Sequence, residues 1–360
     1  MTEKENLDQL SIYTSNICNL QCKYCALKDN LSDKRKYKLS FTDLKNATDY
    51  FLKVSKSSTK HILFLGGEPL LISDTILRLV KNYSSVRNLS FELTTNGVLL
   101  NQNLIEEFKK YRVNLSVNWD GIKKVNDENR RFIIKKSKSV HNILNNLFQR
   151  RDLSKDFCVK MVVTPKNVAF LSKNIEYMAK KGFVEIHLLA ELYTKFSKKS
   201  LKLLQKELEK ISIIVDKYRN VKFRDVEDFL KRLPFYTKKA LPWWYECRQL
   251  NLGPDGKYYV CDECMRLPLE ENEGVVGDLR TGIDFKKRRS LIEEAREYVI
   301  KNIKGSQFFF YCPLGLYFLC KYRKEDPYYK LRHLLDISIN MVNGLLKVSK
   351  IYKRGLNDQS

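Results

Sequence analysis

Six short apolar runs, each followed by a helix-period segment, constrain this chain more than any single residue does. The runs are Leu10–Thr14, Ile62–Leu65, Ser90–Leu93, Val113–Val117, Val159–Val163 and Val184–Leu189. Helical spacing covers Phe41–Val54, Asp74–Tyr83, Asn103–Tyr111, Ser139–Phe148 and Asn167–Lys180, and Leu201–Tyr218 follows the last run. Ser40 with Asp43 supplies a capping-box signal at the head of the first helix. Successive strands can lie parallel only if the chain crosses back between them, and an amphipathic helix does this while covering the sheet. The expectation is an α/β fold of six βα units, short of the eight that close a full barrel.

In such folds the loops after the C-terminal ends of the strands carry the chemistry. Here those loops read "NICNLQCKYC", "GGEP" (Gly66–Pro69), "TTNG" (Thr94–Gly97), "NWDG" (Asn118–Gly121) and "TPKN" (Thr164–Asn167). Each alone is an ordinary turn signal. Together they gather on one rim.

The first loop holds Cys18, Cys22 and Cys25, three of nine cysteines. The N-terminal residues "MTEKENLDQLSIYTS" contain no apolar signal core, and no run of eighteen apolar residues exists, so a cytoplasmic protein without a membrane span is expected. Clustered thiols in a reducing compartment indicate metal or redox chemistry over disulfides. A structural zinc prefers four ligands. Three thiolates suit an iron–sulfur cubane with one iron left open. The net charge of +24 would attract an acidic partner, or it reflects solvated lysine-rich helix faces, since the charges are scattered.

From Leu241 the texture changes. "LPWWYECRQLNLGPDGKYYVCDEC" and "FFFYCPLGLYFLC" bring tight turns, aromatics and five more cysteines. This divides the chain into 1–233, a cysteine-rich 234–330 with its boundary near Pro234, and 331–360, which holds a helix over about His333 to Tyr352. Cys158, alone at a strand start, is expected to be a buried apolar filler.

Cys18-x3-Cys22-x2-Cys25, with Tyr24 before the last cysteine and "GGEP" after the next strand, resembles the radical S-adenosylmethionine enzymes. That resemblance implies a partial (β/α)6 TIM-like barrel. It implies that Cys18, Cys22 and Cys25 hold a [4Fe-4S] cluster whose fourth iron binds S-adenosylmethionine, yielding a 5′-deoxyadenosyl radical. Gly66, Gly67, Glu68 and Pro69 would hold the cofactor's methionine amino group. Tyr24, Asn96, Ser116, Asn118 and Asp120 would contribute to the same site, the last three toward its ribose or carboxylate. "NDENRR" offers Arg130 as a carboxylate partner, although Asp127 and Arg130 could equally be a surface ion pair.

Cys247-x8-Gly256-x4-Cys261, with a "PDG" hairpin turn and "GVVGDL" after it, resembles the extension called SPASM or, when shorter, twitch. Five cysteines suffice for one auxiliary iron–sulfur cluster, with Cys247, Cys261, Cys312 and Cys320 as expected ligands and Cys264 left out; four thiolates would also serve a zinc. In anaerobic sulfatase-maturating enzymes an aspartate follows the corresponding cysteine as a proposed proton acceptor, which points to Asp262. Trp243, Trp244 and Phe308–Tyr311 would shield the auxiliary site.

These resemblances imply oxidative modification of a peptide or protein side chain, with a flavodoxin or ferredoxin as electron donor, and the positive charge could receive an acidic peptide. A small-molecule dehydrogenase or cofactor-biosynthesis enzyme of the same superfamily is the second reading. The enzyme that acts on GTP is set aside, because "RGLNDQS" lacks its Gly-Gly tail. A zinc-stabilised nucleic-acid-binding protein is the reading from another class.

Overall fold

The computed structural model describes residues 3–134, 139–191, 194–218, 220–224, 247–266, 273–302 and 317–318. Eleven strands form one sheet: β1 (Gln9–Tyr13), β2 (Lys60–Leu65), β3 (Leu89–Thr95), β4 (Val113–Asn118), β5 (Phe157–Val163), β6 (Glu185–Ala190), β7 (Lys222–Phe223), β8 (Gln249–Leu252), β9 (Lys257–Tyr259), β10 (Val275–Asp278) and β11 (Gly282–Ile283). Their spatial order is β11-β10-β9-β8-β1-β2-β3-β4-β5-β6-β7. From β1 to β7 every neighbouring pair is parallel, which bears out the βα reading. The two-residue β7 extends the six expected units; a pair so short leaves no periodicity to read.

Alternation along the strands explains both faces. Leu10, Ile12, Ile62, Phe64, Phe91, Leu93, Leu115, Val117, Val159, Met161, Ile186 and Leu188 are all buried in the main core. Each such side chain contributes about 1.5–3 kcal/mol on leaving water. The alternate positions include the polar residues Ser11, His61, Glu92, Ser116, Lys160 and His187, with Leu63 an apolar exception between Ile62 and Phe64. Strand period two sends them to the opposite face. There Lys160 Nζ meets Glu92 at 2.8 Å and Thr94 Oγ1 at 2.8 Å, and Arg224 from beyond β7 reaches Glu92 at 3.4 Å. A residue next to β7 can touch β3 only if the sheet curls, so the polar face lines the inside of a partial barrel. Burial works to raise the Glu92 carboxyl, but His61, Lys160 and Arg224 overcome it and hold it well below the ordinary carboxylate range.

The helices lie close to where periodicity put them. One spans Phe41–Val54, and the Ser40–Asp43 capping box is formed, with Ser40 N–H donating to Asp43 at 2.8 Å. The C-terminal segment joins the barrel directly. β8 pairs parallel with β1, while β8, β9, β10 and β11 run antiparallel in turn. The expected hairpin turn is present, with Gly256 at φ +78°. Cys158 is buried at 6% exposure, consistent with a filler. The boundary near Pro234, the aromatics Trp243, Trp244 and Phe308–Tyr311, the cysteines Cys312 and Cys320, and the helix over His333–Tyr352 lie outside the described residues.

Candidate functional site

The loop leaving β1 is stitched to three neighbouring elements. Gly67 N–H donates to Ser15 and Glu68 N–H to Ile17, both at 2.8 Å, so "GGEP" runs against the stretch just before Cys18. Gln21 N–H donates to Arg131 at 2.7 Å and Lys23 N–H to Asn129 at 2.9 Å, which ties the cysteines to the segment beyond β4. Asn16 closes the loop by accepting from Tyr37 N–H at 2.8 Å and donating to Arg35 at 2.9 Å.

Within this frame Cys18, Cys22 and Cys25 are all partly buried and line a common cavity of about 460 Å³. Burial pushes the Cys18 thiol up to about 11 and Cys22 up to about 12. The thiols lie close enough to act on one another's charge, and Arg130, 4.0 Å from the Cys22 sulfur, pulls that thiol back down. Asn96 Nδ2 and Leu20 N–H approach Cys18 at 3.8 and 3.4 Å. Such thiols stay protonated until a metal displaces the proton. Among the described residues no three Cys, His, Asp or Glu side chains converge on one ion-sized point. In a cubane each of three such thiolates takes a different iron.

The glycines explain how the two loops approach. Gly66 has φ +132°. A Cβ on Gly67 would lie 2.0 Å from the Ile17 carbonyl oxygen. Gly67→Ala is therefore expected to displace the cysteine loop, lowering stability by about 1–3 kcal/mol. Thermal melting, together with iron retained after reconstitution, measures this; an unchanged variant would show that the loop yields freely.

Glu68 is 1% exposed and caps the turn Pro69–Ile72. One carboxylate oxygen accepts from Leu70 N–H at 3.0 Å and Thr95 Oγ1 at 2.6 Å, and the other accepts from Asn96 N–H at 2.9 Å. Burial raises its pKa against these donors. Glu68 thus braces "GGEP" against "TTNG", a role the motif alone does not reveal.

Two residues expected near the cofactor are committed elsewhere. Asp120 is fully buried, and its carboxylate takes Arg130 Nη2 at 3.1 Å, Val162 N–H at 3.1 Å, Asn129 Nδ2 at 3.4 Å and the Tyr24 hydroxyl. It holds the cysteine loop down instead of lining the cavity. Ser116 donates to Glu92 at 3.0 Å, one layer deeper. The surface ion pair between Asp127 and Arg130 is corrected too. Asp127 binds Lys123 and Ser139, while Arg130 is 4% exposed with its ring-stacking partner Tyr24 at 5.3 Å. A local Asp-x-x-Arg spacing could not show this, because Arg130 ends its helix and turns inward.

Asn96, Asn118 and Arg130 line the cavity, as do two carboxylates that sequence reasoning missed, Glu191 and Glu263. Glu191 follows β6 directly, on the same rim as the other loops, which was the available signal. Asp262 is half-buried and does not line the cavity; its carboxylate accepts from Cys261 Sγ at 3.5 Å. Its neighbour Glu263 faces inward. Cys247, Cys261 and Cys264 are all buried, with Cys264 the most buried, at 1%. Arg288, itself 2% exposed, donates to the Cys247 carbonyl and pairs with Glu5.

Comparison with known proteins agrees with this geometry. An uncharacterised protein of Methanocaldococcus jannaschii, MJ0907, is 26% identical over 83% of this chain and 99% of its own length. A GTP 3′,8-cyclase of Clostridium botulinum is 24% identical over 71% of this chain and 81% of its own. Among solved structures, native anSMEcpe with bound AdoMet and the Cp18Cys peptide superposes with a TM-score of 0.68 at 19% identity, covering 96% of this chain and 99% of that one. The family model of the Radical SAM superfamily matches residues 12–168, from β1 through the cysteine loop to the end of "TPKN". Residues 12–168 of this chain therefore match the Radical SAM superfamily, on an α/β fold like that of anSMEcpe.

Proposed function

We propose that this radical SAM enzyme oxidatively modifies a peptide or protein side chain. The observation that carries the reading is the cavity shared by the three loop cysteines and Glu263 of the C-terminal segment, which makes that segment part of the reaction chamber. Cys18, Cys22 and Cys25 would hold a [4Fe-4S] cluster, with Gly66–Pro69, Asn96, Asn118 and Arg130 about S-adenosylmethionine. When bound, that pair supplies a 5′-deoxyadenosyl radical. The chain's own task is then to place one substrate hydrogen beside it and exclude water and competing groups. Tyr24, Asp120 and Glu68 keep the loops in register. Cys247 and Cys261, with Cys312 and Cys320, would hold an auxiliary cluster in an extension spanning 234–330, where Asp262, beside Cys261, would take the substrate proton. A cytoplasmic setting with a flavodoxin or ferredoxin donor fits; no helix among the described residues is long and apolar enough to cross a membrane.

The peptide bound to anSMEcpe supports the peptide reading. The relationship to a GTP 3′,8-cyclase over most of both chains supports the second, a small-molecule substrate, and restores weight to an option that the tail residues had set aside. The reduced, reconstituted protein should be incubated with S-adenosylmethionine and either GTP or short peptides encoded beside its own gene. Peptide-stimulated 5′-deoxyadenosine, with hydrogen lost from the peptide mass, supports the first reading. Stimulation by GTP alone selects the second.

A further inference from the structure

We infer that Arg288 is a positioning residue for the auxiliary cluster, fixing the backbone of Cys247 and setting a buried positive charge beside the cluster that raises its reduction potential. The inference rests on the auxiliary-cluster reading above and names what tunes that group. β8 and β9 pair antiparallel, with Asn251 opposite Tyr259 and Leu252 opposite Tyr258. That register puts the Gly256 turn at one end of the hairpin and both Cys247 and Cys261 at the other. Two buried thiols at one end of a hairpin fit a thiolate-ligated group.

Arg288 stands in the first turn of the helix Phe285–Asn302, its N–H donating to the Asp284 carbonyl at 2.9 Å. A cation there opposes the helix dipole. Burial to 2% exposure opposes its charge further and pulls the guanidinium below its ordinary value. Nη1 binds Glu5 and Nη2 donates to the Cys247 carbonyl. Nε is buried and has no hydrogen-bond partner among the described residues, so one donor is left over for an acceptor such as a cluster thiolate. Cys247 has φ +50°, a conformation that its Cβ disfavours, and the bond from Nη2 holds it there. The Cys247 thiol is near enough for its charge to act on Arg288. Glu5 does not cancel the guanidinium alone, since Arg289 also reaches it at 3.2 Å. Reduction adds negative charge to a cluster, so a fixed buried cation favours the reduced form.

The test is a mediated redox titration of the reconstituted enzyme, followed by electron paramagnetic resonance. S-adenosylhomocysteine, which lacks the sulfonium, perturbs the signal of the first cluster and so marks the second by its indifference. Arg288→Gln should lower the ratio of reduced to oxidised auxiliary cluster about tenfold at a fixed potential, a shift of about 59 mV for one electron. Glu5→Gln, which takes the counter-charge from Arg288, should move the auxiliary potential the other way. Arg288→Lys keeps a charge and should stay within about threefold of the unaltered enzyme. The first cluster should hold its potential throughout, whereas a loosened fold would move both clusters alike. If Arg288→Gln is insoluble, the upward shift in Glu5→Gln carries the same measurement. An unchanged auxiliary potential, shifts of one sign in Arg288→Gln and Glu5→Gln, or equal shifts in both clusters would overturn the inference. Absence of a second signal in the unaltered enzyme would remove the auxiliary-cluster reading and the inference with it. A second signal indifferent to both substitutions removes the inference alone.

Discussion

Replacing Cys18, Cys22 and Cys25 together by Ala is expected to abolish reductive cleavage of S-adenosylmethionine. All three thiols line one cavity and act on one another's charge, and no other described cysteine lines it. The variant should keep about half of the reconstituted iron, because the C-terminal cysteines remain. Iron analysis and 5′-deoxyadenosine chromatography read the two effects independently. Cleavage surviving in the triple variant would end the radical reading; complete loss of iron would instead show that the C-terminal segment holds no cluster of its own. Colour gives an earlier check, since a colourless protein with stoichiometric zinc belongs to the other class.

Arg130→Met is expected to have the largest effect on stability. It removes the guanidinium from Asp120, which is fully buried, and leaves a carboxylate with no counter-charge. Breaking one side of such a pair costs about 3–5 kcal/mol, more than the pair itself contributes over an apolar replacement. Urea unfolding of the cluster-free protein measures this without involving the cofactor. Adding Asp120→Asn to Arg130→Met should recover a large part of the loss, since the buried charge is then gone. A single-variant cost below about 1 kcal/mol would show that water reaches Asp120 in place of Arg130. Tyr24 ties this outcome to function, because its hydroxyl donates to the Asp120 carboxylate and the residue lies between Cys22 and Cys25 in the chain.

The sequence alone was sufficient for the βα alternation and for the rim on which the motifs gather. Period-two and period-3.6 patterns are local, and Ile62, Phe64, Phe91 and Leu93 declare their buried face whatever the chain does elsewhere. The cysteine spacing and "GGEP" were legible for the same reason, as was the Gly256 turn, where a positive φ demands its residue type.

Partnership across the sequence was a different matter. Asp120 and Glu68 were expected at the cofactor; the structure adds that their oxygens accept from Tyr24, Arg130, Thr95 and Asn96, which arrive from other loops, while Glu68 still lines the cavity. Between adjacent acids in "CDEC", nothing in the residue types says which one turns inward. That depends on the short turn after β9 and on how β8 docks against β1. Sequence determined which strands and which reactive residues are present, because those are set by near neighbours. Tertiary structure decided which carboxylates act as braces, because burial and pairing depend on groups that other loops bring in, Tyr24 reaching Asp120 from 96 residues away and Asn96 reaching Glu68 from 28.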